Sequence, residues 1–279
     1  MQTIVHKIVD TIEDDLETIS LDELAQTLNY SKFYLQRLFA FETGVGLKTY
    51  IRLRRLSRAA FELKESEQRV IDIAYKYGYE TPESFTKSYK QQHHQAPSKT
   101  RSDNQPLRIY PMYRQEPSRK QETMMKVRIE TRDAFVICGT KYEMSIENNE
   151  NLKLIPSLWE ELNTSGNDQT LFEMNDGPIK GVLGVCVPID ESRMAYWIGT
   201  VTQQVVSGYD ALHVPTSRFA VFEAKGALPD AIQTAWQAIM QDWIPTSGYQ
   251  IDGGLDFEVY PNEDPTSDAH IAEIWIKLK

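Results

Sequence analysis

Residues 21–56 read LDELAQTLNYSKFYLQRLFAFETGVGLKTYIRLRRL, and residues 69–101 read RVIDIAYKYGYETPESFTKSYKQQHHQAPSKTR. The second stretch repeats the plan of the first. Ser20-Leu-Asp-Glu23 is a capping box, in which the Ser hydroxyl satisfies a free backbone N–H while the Glu side chain reaches back. It predicts a helix over about 21–28 with Leu21, Leu24, Ala25 and Leu28 on one face. Asn29-Tyr30 makes a turn, and Ser31 caps a second helix from Lys32 to about Thr43. Gly44 ends that helix, because glycine enters the left-handed conformation past a helix C-terminus without a steric penalty. A longer helix follows over about 47–64, and then a short helix from Val70, a turn at Gly78-Tyr79 and a helix opened by Pro82. Ala25 and Ala74, Leu28 and Tyr77, and Tyr30 and Tyr79 are each 49 apart, whereas Leu35 and Phe85, and Phe39 and Tyr89, are 50 apart. An internal repeat of two helix-turn-helix units, the second with a turn one residue longer, accounts for these offsets.

A DNA-reading helix presents polar and basic side chains on one face and packs the other on its own domain. In Lys32–Thr43, Leu35, Leu38 and Phe39 are expected to pack inward, leaving Phe33, Gln36 and Arg37 exposed together. Arg37 suits guanine, Gln36 suits adenine and Phe33 suits a thymine methyl. An ordinary solvated helix face is the plain alternative for one Gln/Arg pair, and the duplication weighs against it. The connecting helix of about 18 residues spans about 27 Å, enough to hold two reading helices about one DNA turn (~34 Å) apart. A single chain then covers two successive major grooves, so a monomer or weak dimer is expected on double-stranded DNA. Along the connecting helix, Arg52, Arg54, Arg55 and Arg58 are phosphate contacts or intradomain pairs.

Net charge over the 279 residues is −10, which taken whole argues against a nucleic-acid partner. Its distribution reverses that reading. Residues 24–101 hold 14 basic and 7 acidic side chains, whereas residues 121–279 hold 11 and 24. A basic block followed by an acidic one points to two domains with different partners. Cys138 and Cys186 lie in apolar strand-like runs and read as buried free thiols rather than a disulfide or zinc site. The five histidines lack metal spacing, phosphate loops are absent, and no metal or cofactor is expected. No apolar run is long enough for a membrane span and no export signal precedes the first helix, so a cytoplasmic location is expected.

Residues 102–122 hold three prolines and no sustained period, the composition of a linker. Beyond them, strands are expected at about 126–131, 134–142, 180–188, 194–202, 217–224, 254–260 and 271–278. Amphipathic helices are expected at about 151–163 and 228–243. After the opening strand the order is β-α-β-β twice, a duplicated α+β domain whose halves meet at a junction suited to a ligand. In the last strand Ala272, Ile274, Ile276 and Leu278 alternate with Ile271, Glu273, Trp275 and Lys277. One face belongs to the core and the other pairs a carboxylate with an indole. Tyr196 and Trp197 lie on opposite faces of their strand. Aromatic walls around a carboxylate suit a flat, cationic or amphipathic organic molecule. For Glu273 the alternative is a plain exposed strand carboxylate, and helix tryptophans such as Trp159, Trp236 and Trp243 read as core.

The two quoted stretches together resemble the DNA-binding domain of AraC/XylS-family transcription regulators, over about residues 5–103, including the closing Ala96-Pro97 and Arg101. The resemblance implies base-reading positions at Phe33, Gln36 and Arg37, and at Glu83, Ser84 and Lys87 in the second unit. Pro82, Glu83 and Lys87 depart from the family's usual residues, so the second unit is expected to read other bases. WQAIMQDWIPTSGYQIDGGLDFEVY (236–260), the terminal AEIWIKL (272–278) and the duplicated unit resemble a GyrI-like effector-binding domain in a Rob-type arrangement, over about 125–279. This implies a ligand groove containing Glu273, with Trp275, Tyr196 and Trp197 as the aromatic candidates.

The expected organisation is a multidomain chain. An all-α double helix-turn-helix domain spans 1–103, a linker 104–124 and an α+β GyrI-like domain 125–279. The expected function is a DNA-binding transcription regulator that senses a small organic effector and is not an enzyme. Ligand occlusion of DNA, reorientation through the linker and recruitment of RNA polymerase are the open coupling routes. The alternative is a GyrI-like hydrolase or toxin-sequestering protein with accessory DNA binding.

Overall fold

Leu21–Leu28 (α2) and Lys32–Thr43 (α3) form because each has its own cap. Both bonds of the Ser20–Glu23 capping box are present, and the Ser31 hydroxyl accepts the Tyr34 N–H. Val70–Lys76 (α5) and Pro82–His93 (α6) repeat the motif, with the Thr81 hydroxyl accepting the Ser84 N–H. The repeat extends to backbone conformation. Asn29 (φ 58°) and Gly78 (φ 77°), 49 residues apart, both turn the chain in the left-handed region. Gly78 also has no room for a side chain, since a Cβ there would lie 2.9 Å from the Arg55 guanidinium. Ile4–Asp14 (α1) packs Ile8 and Ile12 on the first motif, and Leu47–Glu65 (α4) joins the two.

The structure, a computed structural model, describes residues 3–102, 106–113 and 126–279. Two compact units divide the chain, Met1–Ser118 and Arg119–Lys279. Part of the expected linker belongs to the first unit. Leu107 packs against the core of α4, α5 and α6. The Tyr110 N–H donates to Ser57 Oγ at 2.8 Å, Arg54 Nη1 donates to the Tyr110 carbonyl at 2.6 Å, and the Tyr113 N–H donates to the Tyr50 hydroxyl at 3.3 Å. Tyr110 and Tyr113 set their rings against Tyr50 and Phe39. Proline content suggested a free linker, but here the chain carries enough apolar and aromatic side chains to dock as a strap. Residues 104, 105 and 114–124 of that linker lie outside the described residues.

The second unit is one antiparallel sheet in the order β1-β6-β8-β7-β3-β4-β2-β5. Its strands are β1 Val127–Arg132, β2 Phe135–Ser145, β3 Val182–Pro188, β4 Arg193–Thr202, β5 Asp210–Val214, β6 Ser217–Lys225, β7 Ile251–Tyr260 and β8 Ile271–Leu278. Helices Glu150–Ser165 (α7) and Asn167–Met174 (α8) follow β2, and Asp230–Ala238 (α9), continued by a π-helical turn, follows β6. The duplicated β-α-β-β unit is therefore present, and β5 supplies the second copy with a counterpart of the opening strand. Each copy lends that first strand to the other: β1 pairs with β6, and β5 with β2. The central pair is β3 and β7, one from each copy.

Register partners in an antiparallel sheet share a face. One row therefore reads Arg128, Val221, Trp275, Phe257, Val185, Trp197 and Lys141 across seven strands. This face carries a contiguous core including Phe135, Phe219, Phe257 and both tryptophans. Phe135 on β2 and Phe257 on β7 lie three strands apart, about 14 Å on a flat sheet at ~4.8 Å per strand. Their ring centroids are 6.3 Å apart, so the face is concave and its side chains converge. The other face receives α7 and α9, through Trp159 bonded to Tyr196 and Trp236 bonded to Glu258.

Candidate functional site

The two reading helices differ in exposure. On α3, Phe33 and Gln36 are buried and Arg37 is half-buried, with its guanidinium 5.6 Å from the Phe33 ring. The expected exposed face is thus covered. Phe33, Tyr34, Leu35, Leu38, Phe39 and Ala40 give the helix apolar groups on more than one side, so more of its surface is buried than a single packing face requires. On α6, Glu83, Ser84 and Lys87 are exposed. Only Phe85, Tyr89 and His93 of that helix are buried.

The α4 arginines divide by role. Arg55 Nε donates to the Leu16 carbonyl at 2.7 Å and Nη2 to the Ile19 carbonyl at 2.9 Å, so its guanidinium holds the chain after α1 rather than a phosphate. Arg54 grips both carboxylate oxygens of Glu13 at 2.7 Å. Among the expected phosphate contacts, Arg52 remains half-buried and Arg58 exposed.

The four expected ligand residues in the second unit fall on two faces. Glu273, Trp275 and Trp197 share the concave face. Tyr196 lies behind it on the helix face, because successive strand residues point in opposite directions. Glu273 is already engaged. Its Oε2 accepts the Trp275 Nε1–H at 2.9 Å, and Arg128 Nη2 approaches Oε1 at 2.8 Å. Burial works against the Arg128 charge, but hydrogen bonds to Glu130 and Glu273 outweigh it and raise its pKa. Glu130 is opposed by burial too, yet Arg128 and Arg132 hold its pKa below the ordinary value.

Tyr196 instead joins a cluster absent from the sequence-derived set. On the helix face, Trp236 Nε1 donates to Glu258 Oε1 at 2.7 Å, and the Tyr260 hydroxyl donates to Oε2 at 2.6 Å. Trp159 Nε1 donates to the Tyr196 hydroxyl at 2.8 Å, and its ring meets Tyr260 edge-on at 4.9 Å. Gly184 is the register partner of Glu258 on the central strand pair, and a Cβ there would stand 2.4 Å from the Tyr196 hydroxyl. A carboxylate thus sits among four aromatic residues where the two copies meet. Burial, and then the neighbouring Glu258 charge, push the Tyr260 hydroxyl well above the usual phenol pKa, which keeps it a donor.

A family profile for integron-associated effector binding proteins matches residues 128–277, more than half of the chain. The chain belongs to this family. A helix-turn-helix domain profile of the AraC type matches residues 24–103. Multiple antibiotic resistance protein MarA of Escherichia coli K12 is 40% identical over 101 residues, 36% of this chain and 80% of MarA. The first unit is the DNA-binding unit of an AraC-type transcription regulator. Two solved structures are similar to more than half of this chain. One, from Staphylococcus aureus MU50 and provisionally assigned to transcription regulation, is 26% identical with a TM-score of 0.51. It covers 56% of this chain and 99% of its own. The other, SAV2435 bound to tetraphenylphosphonium, is 25% identical with a TM-score of 0.52, covering 56% and 94%.

Glu258, the carboxylate of this cluster, is not among the residues singled out from the sequence. Its signal was available: Glu258 and Tyr260 stand two apart on one strand, a carboxylate beside an aromatic ring, just as Glu273 and Trp275 do. Among the described residues, no group of His, Cys, Asp or Glu could hold a metal ion, and no helix is long and apolar enough to cross a membrane.

Proposed function

We propose that the second unit senses an aromatic or lipophilic cation and that its occupancy alters operator binding by the first. The observation that carries this reading is the Glu258 carboxylate held between Trp236 and Tyr260 in an aromatic box at the junction of the two copies. A carboxylate supplies counter-charge, and the faces of Trp and Tyr attract a cation through their quadrupoles. The related SAV2435 was solved with such a cation, tetraphenylphosphonium. Trp159 is the ring a ligand displaces, since α7 keeps it only half-buried while Trp236 on α9 is buried.

Within the first unit, Glu83, Ser84 and Lys87 on α6 read bases, as do Phe33, Gln36 and Arg37 on α3 once their face is open to DNA. Arg52 is the phosphate contact on α4. The second unit binds rather than turns over its ligand in this reading: both oxygens of Glu258, and both of Glu273, accept from donors, and a carboxylate so engaged is a weaker base. Titrating the full chain with tetraphenylphosphonium by calorimetry tests the reading. Saturable binding that Glu258→Gln weakens and Glu273→Gln spares supports it. The reverse pattern transfers the site to the concave face.

A further inference from the structure

On the concave face, beside Trp275, a cavity of about 290 Å³ is lined by Arg128, Arg132, Lys180, Ile179, Val259 and Trp275, among others. We infer that this cavity is a second binding site, for a small amphipathic carboxylate. It is independent of the Glu258 box, being on the opposite face of the sheet, and both copies build it. Arg128, Arg132, Ile179 and Lys180 come from the first copy, Val259, Glu273 and Trp275 from the second.

Charge decides the ligand class. Arg128 pairs with Glu130 and Glu273, and Arg132 pairs with Glu130. Lys180 Nζ donates only to a neutral acceptor among its described hydrogen bonds, the Asn175 carbonyl at 3.2 Å. Three cations therefore face two carboxylates. Arg132 Nε is moreover buried without a hydrogen-bond partner among the described residues, an unusual condition for a guanidinium donor. An entering carboxylate meets Lys180 and the accessible part of the Arg132 guanidinium and neutralises the surplus charge. An entering cation has to displace Arg128 from Glu273, and leaves the cavity more positive than before. The site also occupies its own cation positions: the Arg128 and Arg132 guanidiniums lie 5.6 and 5.4 Å from the Trp275 ring centre. The ligand's apolar body packs on Pro178, Pro261 and Ile271, the accessible apolar residues of the lining, because Ile179, Val259 and Trp275 are themselves buried.

The test is calorimetric titration of the full chain with three probes of one shape: 2-naphthoate, 2-naphthamide and 2-naphthylmethylammonium. We expect naphthoate to bind about tenfold or more tightly than the other two, the gain of a charge-assisted pair in a partly dehydrated site. Arg132→Gln and Lys180→Gln should each weaken naphthoate about five- to twentyfold and leave naphthamide unchanged, while Glu258→Gln leaves naphthoate unchanged. Lys180 is exposed on a loop, so its variant decides the matter even where Arg132→Gln disturbs β1. Equal affinity for naphthoate and naphthamide overturns the inference, as do absence of naphthoate binding and insensitivity to both substitutions.

Discussion

Replacing Ser57 with alanine tests whether the strap at 106–113 is part of the DNA-binding unit. Ser57 is 1% exposed and lies on α4. Its hydroxyl oxygen accepts the Tyr110 N–H at 2.8 Å and Gln92 Nε2 at 2.9 Å, and donates to the Leu53 carbonyl at 2.8 Å. Gln92 keeps the Leu53 and Arg108 carbonyls as acceptors, so its loss is small. The Tyr110 N–H loses this acceptor, and a buried donor without a partner costs about 1–3 kcal/mol. Alanine regains roughly 0.5 kcal/mol through its better helix propensity. The net expectation is a loss of about 1–2 kcal/mol, toward the lower end because the strap is only partly buried. Tyr110→Pro removes the same N–H, and in that background Ser57→Ala should become neutral or slightly stabilising, since only the propensity gain remains. All five tryptophans lie in the second unit. Tryptophan fluorescence during denaturant unfolding therefore follows the second unit alone, and the far-UV dichroism change that does not coincide with it reports the first unit, whose helices are the more extensive. A Ser57→Ala cost equal in both backgrounds would refute the strap.

Lys87→Ala on the exposed face of α6 should weaken specific operator binding by about 1–3 kcal/mol and relax preference at one base step, read by gel shift against sequence variants. Trp236→Phe removes a donor to the Glu258 carboxylate and should lower stability of the second unit by about 1.5–3 kcal/mol, seen in the fluorescence transition of the remaining tryptophans. His93 is buried against the Leu56 carbonyl, and burial lowers its pKa below 6.5. The unfolded chain then binds a proton that the folded chain excludes. Stability of the first unit should fall as pH drops below about 6.5 and level off below the folded pKa, and His93→Gln should flatten that slope.

The helical unit was readable because its signals are local. Caps at Ser20, Ser31 and Thr81 and turn residues at Asn29 and Gly78 act over three or four residues, and the offsets of 49 and 50 survive in the fold. Burial of α3 was not readable, because Gln36 and Arg37 are polar in any sequence pattern and their covering is a tertiary matter. In the second unit, alternation correctly paired Glu273 with Trp275 and separated Tyr196 from Trp197. It does not say which face receives the helices, and that choice separates Glu258 from Glu273. The strand Asp210–Val214 escaped notice because five residues including Asp210 and His213 carry too little alternation, and its pairing with β2 is non-local. The strap was hidden by its prolines, while its anchors Ser57, Arg54 and Tyr50 lie more than fifty residues away.

The central claim couples the Glu258 box to operator binding. A charge pair at ~4 Å and an effective dielectric of ~20 attracts by about 4 kcal/mol, and dehydration of both partners offsets part of that. Glu258→Gln should therefore raise the Kd for tetraphenylphosphonium by about ten- to hundredfold. The most direct measurement is a gel-shift titration of operator DNA by the full chain with and without saturating tetraphenylphosphonium, in wild type and in Glu258→Gln. A ligand-dependent change in apparent operator affinity that disappears in Glu258→Gln at the same ligand concentration is the predicted result. An operator affinity indifferent to the bound cation in the wild type, or a response that persists undiminished in Glu258→Gln, contradicts the account.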